Sequence, residues 1–162
     1  MNGTSSKRRK FMAVLAVNKQ AAYDYEILST LEAGIILSGA EVKSVKNGQV
    51  NLRGSYVSRR YRDGRPEFYL LGAHIAHYQY AGHGDYDPIR QRQLLLKKEE
   101  LRYLTGKMQE KGLTLIPVKI YTKNGLVKVE LALARGRKKY DKRESIKRRD
   151  LDRDIKRTLK NK

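Results

Sequence analysis

The segment His83-Gly84-Asp85-Tyr86-Asp87-Pro88 brings an imidazole and two carboxylates close together, a set of donors able to hold a divalent cation. The same residue types are turn formers, because Asp side chains bond their own backbone and Gly and Pro set loop geometry. A polar loop is therefore the preferred reading. Glu32 beside Gly34 and Glu41 beside Gly39 are the other carboxylates able to form a pair, but single carboxylates next to glycine commonly belong to turns. His74 and His77 flank Ile75 near a strand end, where histidines are usually structural. Cysteine is absent, which removes thiolate zinc ligands, cysteine nucleophiles and disulfides together. No glycine-rich phosphate loop precedes a helix, and Ala134-Arg135-Gly136-Arg137 is too short and too basic for a nucleotide fold. The expectation is a protein with no catalytic residues, no metal and no cofactor.

The residue types favour binding to a polyanion. The chain of 162 residues has 36 Lys/Arg against 17 Asp/Glu, a net charge of +19, and the excess is concentrated at its ends. Residues 135–162 hold 14 Lys/Arg against 5 Asp/Glu, a net charge of +9. Their aliphatic side chains are Ile146, Leu151, Ile155 and Leu159, too few to bury a core, so this tail is predicted to be disordered when free. On a helix Leu151, Ile155 and Leu159 fall at i, i+4 and i+8, a single narrow stripe. The pairs Glu144/Arg148 and Asp152/Lys156 add about 0.3 kcal/mol each, which does not offset helix nucleation in water. A helix that forms on a nucleic acid is the natural outcome, and each phosphate neutralised there releases a counterion. The tail is too polar to embed in lipid, so no membrane partner is expected. Eleven tyrosines against two phenylalanines and no tryptophan supply stacking faces as well as barrel walls.

The elements that must position these groups are short. Residues 1–10 read as a flexible basic arm. The apolar run from Phe11 to Val17 resembles an entering strand more than a signal peptide, and no stretch approaches the ~20 apolar residues of a membrane span. Strand-like runs follow at Tyr23–Leu28, Ala33–Leu37, Asn51–Arg60, Glu67–Leu71 and His74–Ala76, with a hairpin turn at Arg62-Asp63-Gly64-Arg65. Leu113–Tyr121 and Leu126–Ala134 pair across Thr122-Lys123-Asn124-Gly125, where Asn-Gly is a strong turn signal. Helices are predicted over Glu41–Asn47 and Lys97–Lys111, each stopped by a glycine. Arg90-Gln91-Arg92-Gln93 reads as a solvated strand edge, leading into Leu94-Leu95-Leu96, which reads as core. The fold class is mainly β with flanking helices: an OB-type small barrel over residues 11–134, followed by the basic tail 135–162.

At this level an RNA-binding adaptor, a ribosomal structural protein and a nuclease built on Asp85 and Asp87 all remain open. The order of motifs separates them. Asn18-Lys19, Glu32-Ala33-Gly34, Leu37-Ser38-Gly39-Ala40-Glu41-Val42-Lys43-Ser44 and Ser55-Tyr56-Val57 come first. Asp87 through Leu96, Leu113 through Pro117, Lys128 through Gly136 and Tyr140 through Arg143 complete the set. Together they resemble the SmpB family of SsrA-binding proteins. That resemblance implies a non-enzymatic, cytoplasmic adaptor, monomeric when free, that binds the tRNA-like domain of transfer-messenger RNA (tmRNA). It further implies delivery of that RNA to stalled ribosomes, with elongation factor Tu joined through the shared RNA, and a tail that becomes helical in the empty mRNA channel. The implied RNA contacts are Asn18, Lys19, Glu32, Leu95, Lys128, Gly136, Lys138 and Lys139. Tyr140, Asp141, Lys142 and Arg143 would lie near the decoding centre, with Tyr140 stacking on rRNA bases. Thr158 stands where the family often has an apolar residue, which weakens the last turn of the stripe ending at Leu159.

Overall fold

Asn124 and Gly125 adopt positive φ angles of 53° and 78°. That left-handed pair is the turn that matches strand twist, and it closes a long hairpin of β8 (Leu113–Lys123) and β9 (Leu126–Gly136). A computed structural model describes residues 12–82 and 84–160. The basic arm 1–10, Phe11, His83, Asn161 and Lys162 lie outside the described residues. The remaining strands are β1 (Met12–Val17), β2 (Tyr25–Ile35), β3 (Val50–Asn51), β4 (Tyr56–Arg62), β5 (Arg65–Leu71), β6 (His74–Ile75) and β7 (Arg92–Leu95). The helices are α1 (Ala21–Asp24), α2 (Gly39–Lys46), α3 (Lys98–Lys107) and α4 (Lys139–Lys160).

The antiparallel order β8-β4-β5-β7-β2-β9 closes on itself through β8–β9, giving a small barrel of the expected OB kind with β1 added along the far half of β8. Its interior is filled by Val57, Phe68, Leu70, Leu94, Leu115, Ile120, Val129, Leu131 and Leu133. A bulge between Pro117 and Lys119 shifts the side-chain alternation of β8 by one residue. Ile120 therefore points inward, while Lys119, Tyr121 and Lys123 face outward. A smaller apolar cluster of Ala21, Ile116, Ala132 and Ala134 seats α1 on the outside of the β8–β9 hairpin.

Several sequence expectations change. Tyr23–Leu28 and Ala33–Leu37 are not separate strands. One strand spans Tyr25–Ile35, because β9 pairs along its length and a bulge between Ile27 and Ser29 absorbs the irregularity. Asn51–Arg60 is interrupted by the turn at Arg53-Gly54, where Gly54 has φ 73°. Leu95 is not core, since it is 53% exposed. The tail, expected to fold on its partner, forms a helix over Lys139–Lys160. Its first turns lie against α1.

The largest correction concerns Arg90, Arg92 and Glu41. Arg92 is not on a solvated edge: its side chain is fully buried, as is that of Glu41. Arg92 Nε donates to Glu41 Oε1 at 2.9 Å, Nη1 to the carbonyls of Ala73 and Arg90, and Nη2 to the carbonyl of Pro88. Arg90 forks onto both oxygens of the same carboxylate. The N–H of Ser38 donates to Glu41 Oε2 at 2.9 Å while the Ser38 hydroxyl accepts from the Glu41 N–H, a reciprocal cap on α2. Burial pushes the Glu41 carboxyl up, but the Arg90 and Ser38 hydrogen bonds and the charge of Arg92 outweigh it and hold the group below its ordinary 4.5.

Replacing Glu41 with Gln strands a buried guanidinium and should cost about 3–5 kcal/mol, read as a lower urea midpoint at unchanged slope. In the wild type, Glu41 binds its proton less tightly folded than unfolded. Its contribution is therefore complete above pH 4.5 and is lost as pH falls through the lower folded value. The acid side of the stability profile should flatten in Glu41→Gln.

Candidate nucleic-acid interface

Alternation along β2 turns Ala33 into the core and leaves Thr30, Glu32 and Gly34 on the outer face. Gly34 pairs with Leu95 of β7 on one side and with Lys128 of β9 on the other. Leu95, Gly34 and Lys128 thus form a row across three strands, with Glu32 two residues further along. A Cβ on residue 34 would stand 3.2 Å from the Leu95 Cβ, a tight contact that glycine avoids. The row therefore presents an apolar side chain, an open stretch of backbone and an ammonium. Among the described residues Lys128 forms no ion pair.

Glu32 is held by the outward-facing residues that the β8 bulge supplies. Its Oε2 accepts from the Tyr121 hydroxyl and from Lys123 Nζ at 2.9 Å. Those two hydrogen bonds hold its carboxyl below the ordinary value. Burial first, and the Glu32 carboxylate second, push the Tyr121 phenol far up. Glu32 is thus an anion at neutral pH with Oε1 left without a partner among the described residues. Next to it, Lys119 neutralises Glu130 at 2.6 Å. An ordered carboxylate oxygen beside a free ammonium suits a partner that offers both N–H donors and phosphates, as an unpaired nucleotide does.

Asn18 and Lys19 are placed elsewhere, in the turn between β1 and α1. The Asn18 amide donates to the Pro117 carbonyl at 3.0 Å and its backbone N–H to the Val118 carbonyl at 2.7 Å, tying the turn to the β8 bulge. Lys19 is exposed beside Asn51 and Arg53, in a shallow groove that adds basic surface. Of the expected body contacts, Glu32, Leu95 and Lys128 form one cluster and Asn18 and Lys19 another.

The tail departs where β9 ends. Gly136 pairs with Tyr25, and the space around it is open, so the packing of the chain itself does not demand glycine there. The Arg137 N–H donates to the Asp24 carbonyl at 2.9 Å, and past Lys138 the helix begins at Lys139. Lys142 pairs with Asp24 Oδ1 at 3.0 Å, and the Arg149 guanidinium lies 3.8 Å from the centre of the Tyr23 ring. Tyr23 and Asp24 therefore seat α4. Sequence reading missed this role, because nothing local marks a contact to residues more than a hundred positions away. Tyr140, Asp141 and Arg143 are exposed, as are Leu151, Ile155 and Leu159 along one stripe. In the loop considered for metal binding, Asp87 Oδ1 accepts from the Ile89 N–H at 3.0 Å, the local turn bond of the simpler reading.

A family profile described as SmpB protein matches residues 15–161. The SsrA-binding protein of Chloroflexus aggregans is 53% identical over 150 residues, covering 92% of both chains. That of Persephonella marina is 50% identical over 149 residues, covering 92% of this chain and 95% of its own. A solved structure from "tmRNA-SmpB: a journey to the center of the bacterial ribosome" superposes with a TM-score of 0.62 at 47% identity, covering 81% of this chain and 93% of that one.

The α1 seat makes its own prediction. Asp24→Asn should raise amide exchange several-fold in the first turns of α4 while leaving protection of β8 and β9 unchanged. Equal exchange in the two proteins would show that Asp24 does not hold the helix.

Proposed function

The chain belongs to the SmpB family, the SsrA-binding proteins, and we propose that its barrel and tail divide the work of trans-translation between RNA binding and ribosome sensing. The protein binds tmRNA and acts with it on the ribosome. Within that role, the outer row on β2, β7 and β9 takes the tRNA-like domain. Lys128 attracts phosphate, Leu95 covers the face of an unstacked base, and the free Glu32 Oε1 accepts N–H donors from a base edge, such as guanine N1–H and N2–H₂. A carboxylate repels phosphate, so Glu32 adds selectivity where the lysines add attraction. Asn18 and Lys19 extend the contact along the basic turn. The observation that carries this reading is the Glu32 carboxylate, with one oxygen anchored by Tyr121 and Lys123 and the other free beside Lys128.

The tail probes the mRNA channel. Gly136, Lys138 and Lys139 set its departure, and open space at Gly136 leaves room for RNA to approach the backbone. Tyr140 stacks on exposed bases of the decoding centre, with Asp141, Lys142 and Arg143 beside it. Further along, α4 carries its basic faces toward phosphates while Leu151, Ile155 and Leu159 pack on the channel wall. Lys142 and Arg149 then exchange Asp24 and Tyr23 for rRNA. None of these tasks requires bond making, so the protein serves as an adaptor rather than an enzyme, at work in the cytoplasm.

A gel shift against the tRNA-like domain, with ordinary tRNA as competitor, tests the body. Lys128→Ala should weaken binding and lower the salt slope by about one. Glu32→Gln should erode the preference for tmRNA over tRNA roughly tenfold, the scale of one charge-assisted hydrogen bond. No preference in the wild type would overturn the reading. Truncation after Tyr140 should leave RNA binding nearly intact while abolishing peptide tagging on stalled ribosomes. Loss of both would show that body and tail are not separate.

A further inference from the structure

The β4–β5 hairpin reaches well beyond the barrel. The last barrel pairing of β4 is Val57 with Leu115, and β5 meets β7 only over Phe68–Leu70. Residues 58–67 therefore continue as a two-stranded ribbon with no sheet neighbour on either side among the described residues. At about 3.3 Å per residue it projects roughly 15 Å. Its turn, with Asp63 at φ 50° and Gly64 at φ 73°, is of the left-handed kind that keeps a ribbon tight.

An isolated ribbon is marginal in water, and this one buries little to hold it. Its orientation comes instead from Arg59, whose Nη1 donates to the Thr105 carbonyl of α3 at 2.8 Å. The other cations have no such task. Among the described residues, Arg60, Arg62 and Arg65 form no ion pair. Glu67, the carboxylate across from Arg60, accepts from the Tyr69 hydroxyl at 2.6 Å. Arg60 lies over the Tyr69 ring at 5.5 Å, as Arg59 does over Tyr61 at 5.2 Å. Tyr61 is 58% exposed near the tip. Free guanidiniums interleaved with exposed aromatic rings are what a nucleic-acid backbone with unstacked bases requires.

The ribbon is also continuous with the row already assigned to RNA. A groove between β5, β7 and α3 has Leu95, Leu96 and Leu101 in its apolar lining and Arg65, Lys98 and Arg102 among its cations. RNA lying on Leu95 is led by that groove to the ribbon. On the basis of the proposed function, we infer that the β4–β5 ribbon is a second tmRNA-binding surface, with Arg60, Arg62 and Arg65 on phosphates and Tyr61 stacking on an unpaired base. This surface lies outside every residue that the motif resemblance nominated.

The test compares full-length wild type with Arg60→Gln/Arg62→Gln/Arg65→Gln, with Tyr61→Ala and with Lys128→Ala, by titration with tmRNA over a salt series and by ribosome pelleting without tmRNA. None of the ribbon side chains is core, so melting temperatures should match. The triple variant should bind tmRNA about tenfold more weakly at ~150 mM salt, with a slope shallower by about two to three. Tyr61→Ala should lower affinity roughly tenfold at unchanged slope. Unchanged tmRNA binding by both ribbon variants, with Lys128→Ala still impaired, would overturn the inference while leaving the proposed function standing. A defect confined to ribosome pelleting would overturn it too, assigning the ribbon to rRNA. If Lys128→Ala is also silent, the Leu95–Lys128 row and the ribbon reading fall together.

Discussion

The Glu41 carboxylate, shared between the cap of α2 and two arginines next to β7, is the constraint on which the functional surface depends. Isolated burial of either charge would be prohibitive, whereas here the N–H groups of Arg92 reach carbonyls from Ala73, Pro88 and Arg90 as well as the carboxylate. The same network ties down the long connection between β6 and β7, through the Tyr86 hydroxyl donating to the Ile75 carbonyl and the Arg92 fork reaching Pro88. With Arg92 buried, alternation along β7 carries Leu94 inward and Leu95 outward. The exposed leucine beside Gly34 is therefore a consequence of a buried ion pair three residues earlier.

A second constraint works from the other side of the barrel. The one-residue bulge at Val118 lets a single strand serve both the core and the outer face of β2: Leu115 and Ile120 pack inside, while Tyr121 and Lys123 reach Glu32. Without that phase shift, the alternation of Leu115 and Pro117 would send Lys119 and Tyr121 into the barrel. The bulge also receives Asn18, so the two clusters proposed to bind RNA share an anchor although they lie apart. On two of the basic surfaces a carboxylate is partly occupied, Glu32 by the Tyr121 hydroxyl and Lys123, and Glu67 by the Tyr69 hydroxyl. That arrangement keeps the surrounding arginines and lysines available to phosphate without making the face a featureless positive field.

The tail illustrates how local and tertiary information differ. Its charge and its stripe were legible from spacing alone, because both depend only on residue order and helical period. Its seat on the rest of the fold was not. Asp24 and Tyr23 supply partners to Lys142 and Arg149 from the opposite end of the sequence, which no local pattern marks. Strands marked by Asn-Gly and Asp-Gly turns were legible for the same local reason, and the misplaced breaks in β2 and after β3 fall where pairing or a bulge overrides local pattern.

By itself, then, the order of residues determined the mainly β class, the hairpin turns, the glycine stop of α2, the polyanion preference and, through its motifs, the family. These are short-range properties, set by φ preference, periodicity and net charge. Tertiary structure alone decided that Arg92 is buried and Leu95 exposed, that Tyr121 and Lys123 hold one oxygen of Glu32, that α4 rests on α1, and that the Arg-rich hairpin stands clear of the barrel. Each of those outcomes depends on which side chain meets which across the closed sheet. A shift of one residue in register reverses every facing, and spacing along the chain does not encode that choice.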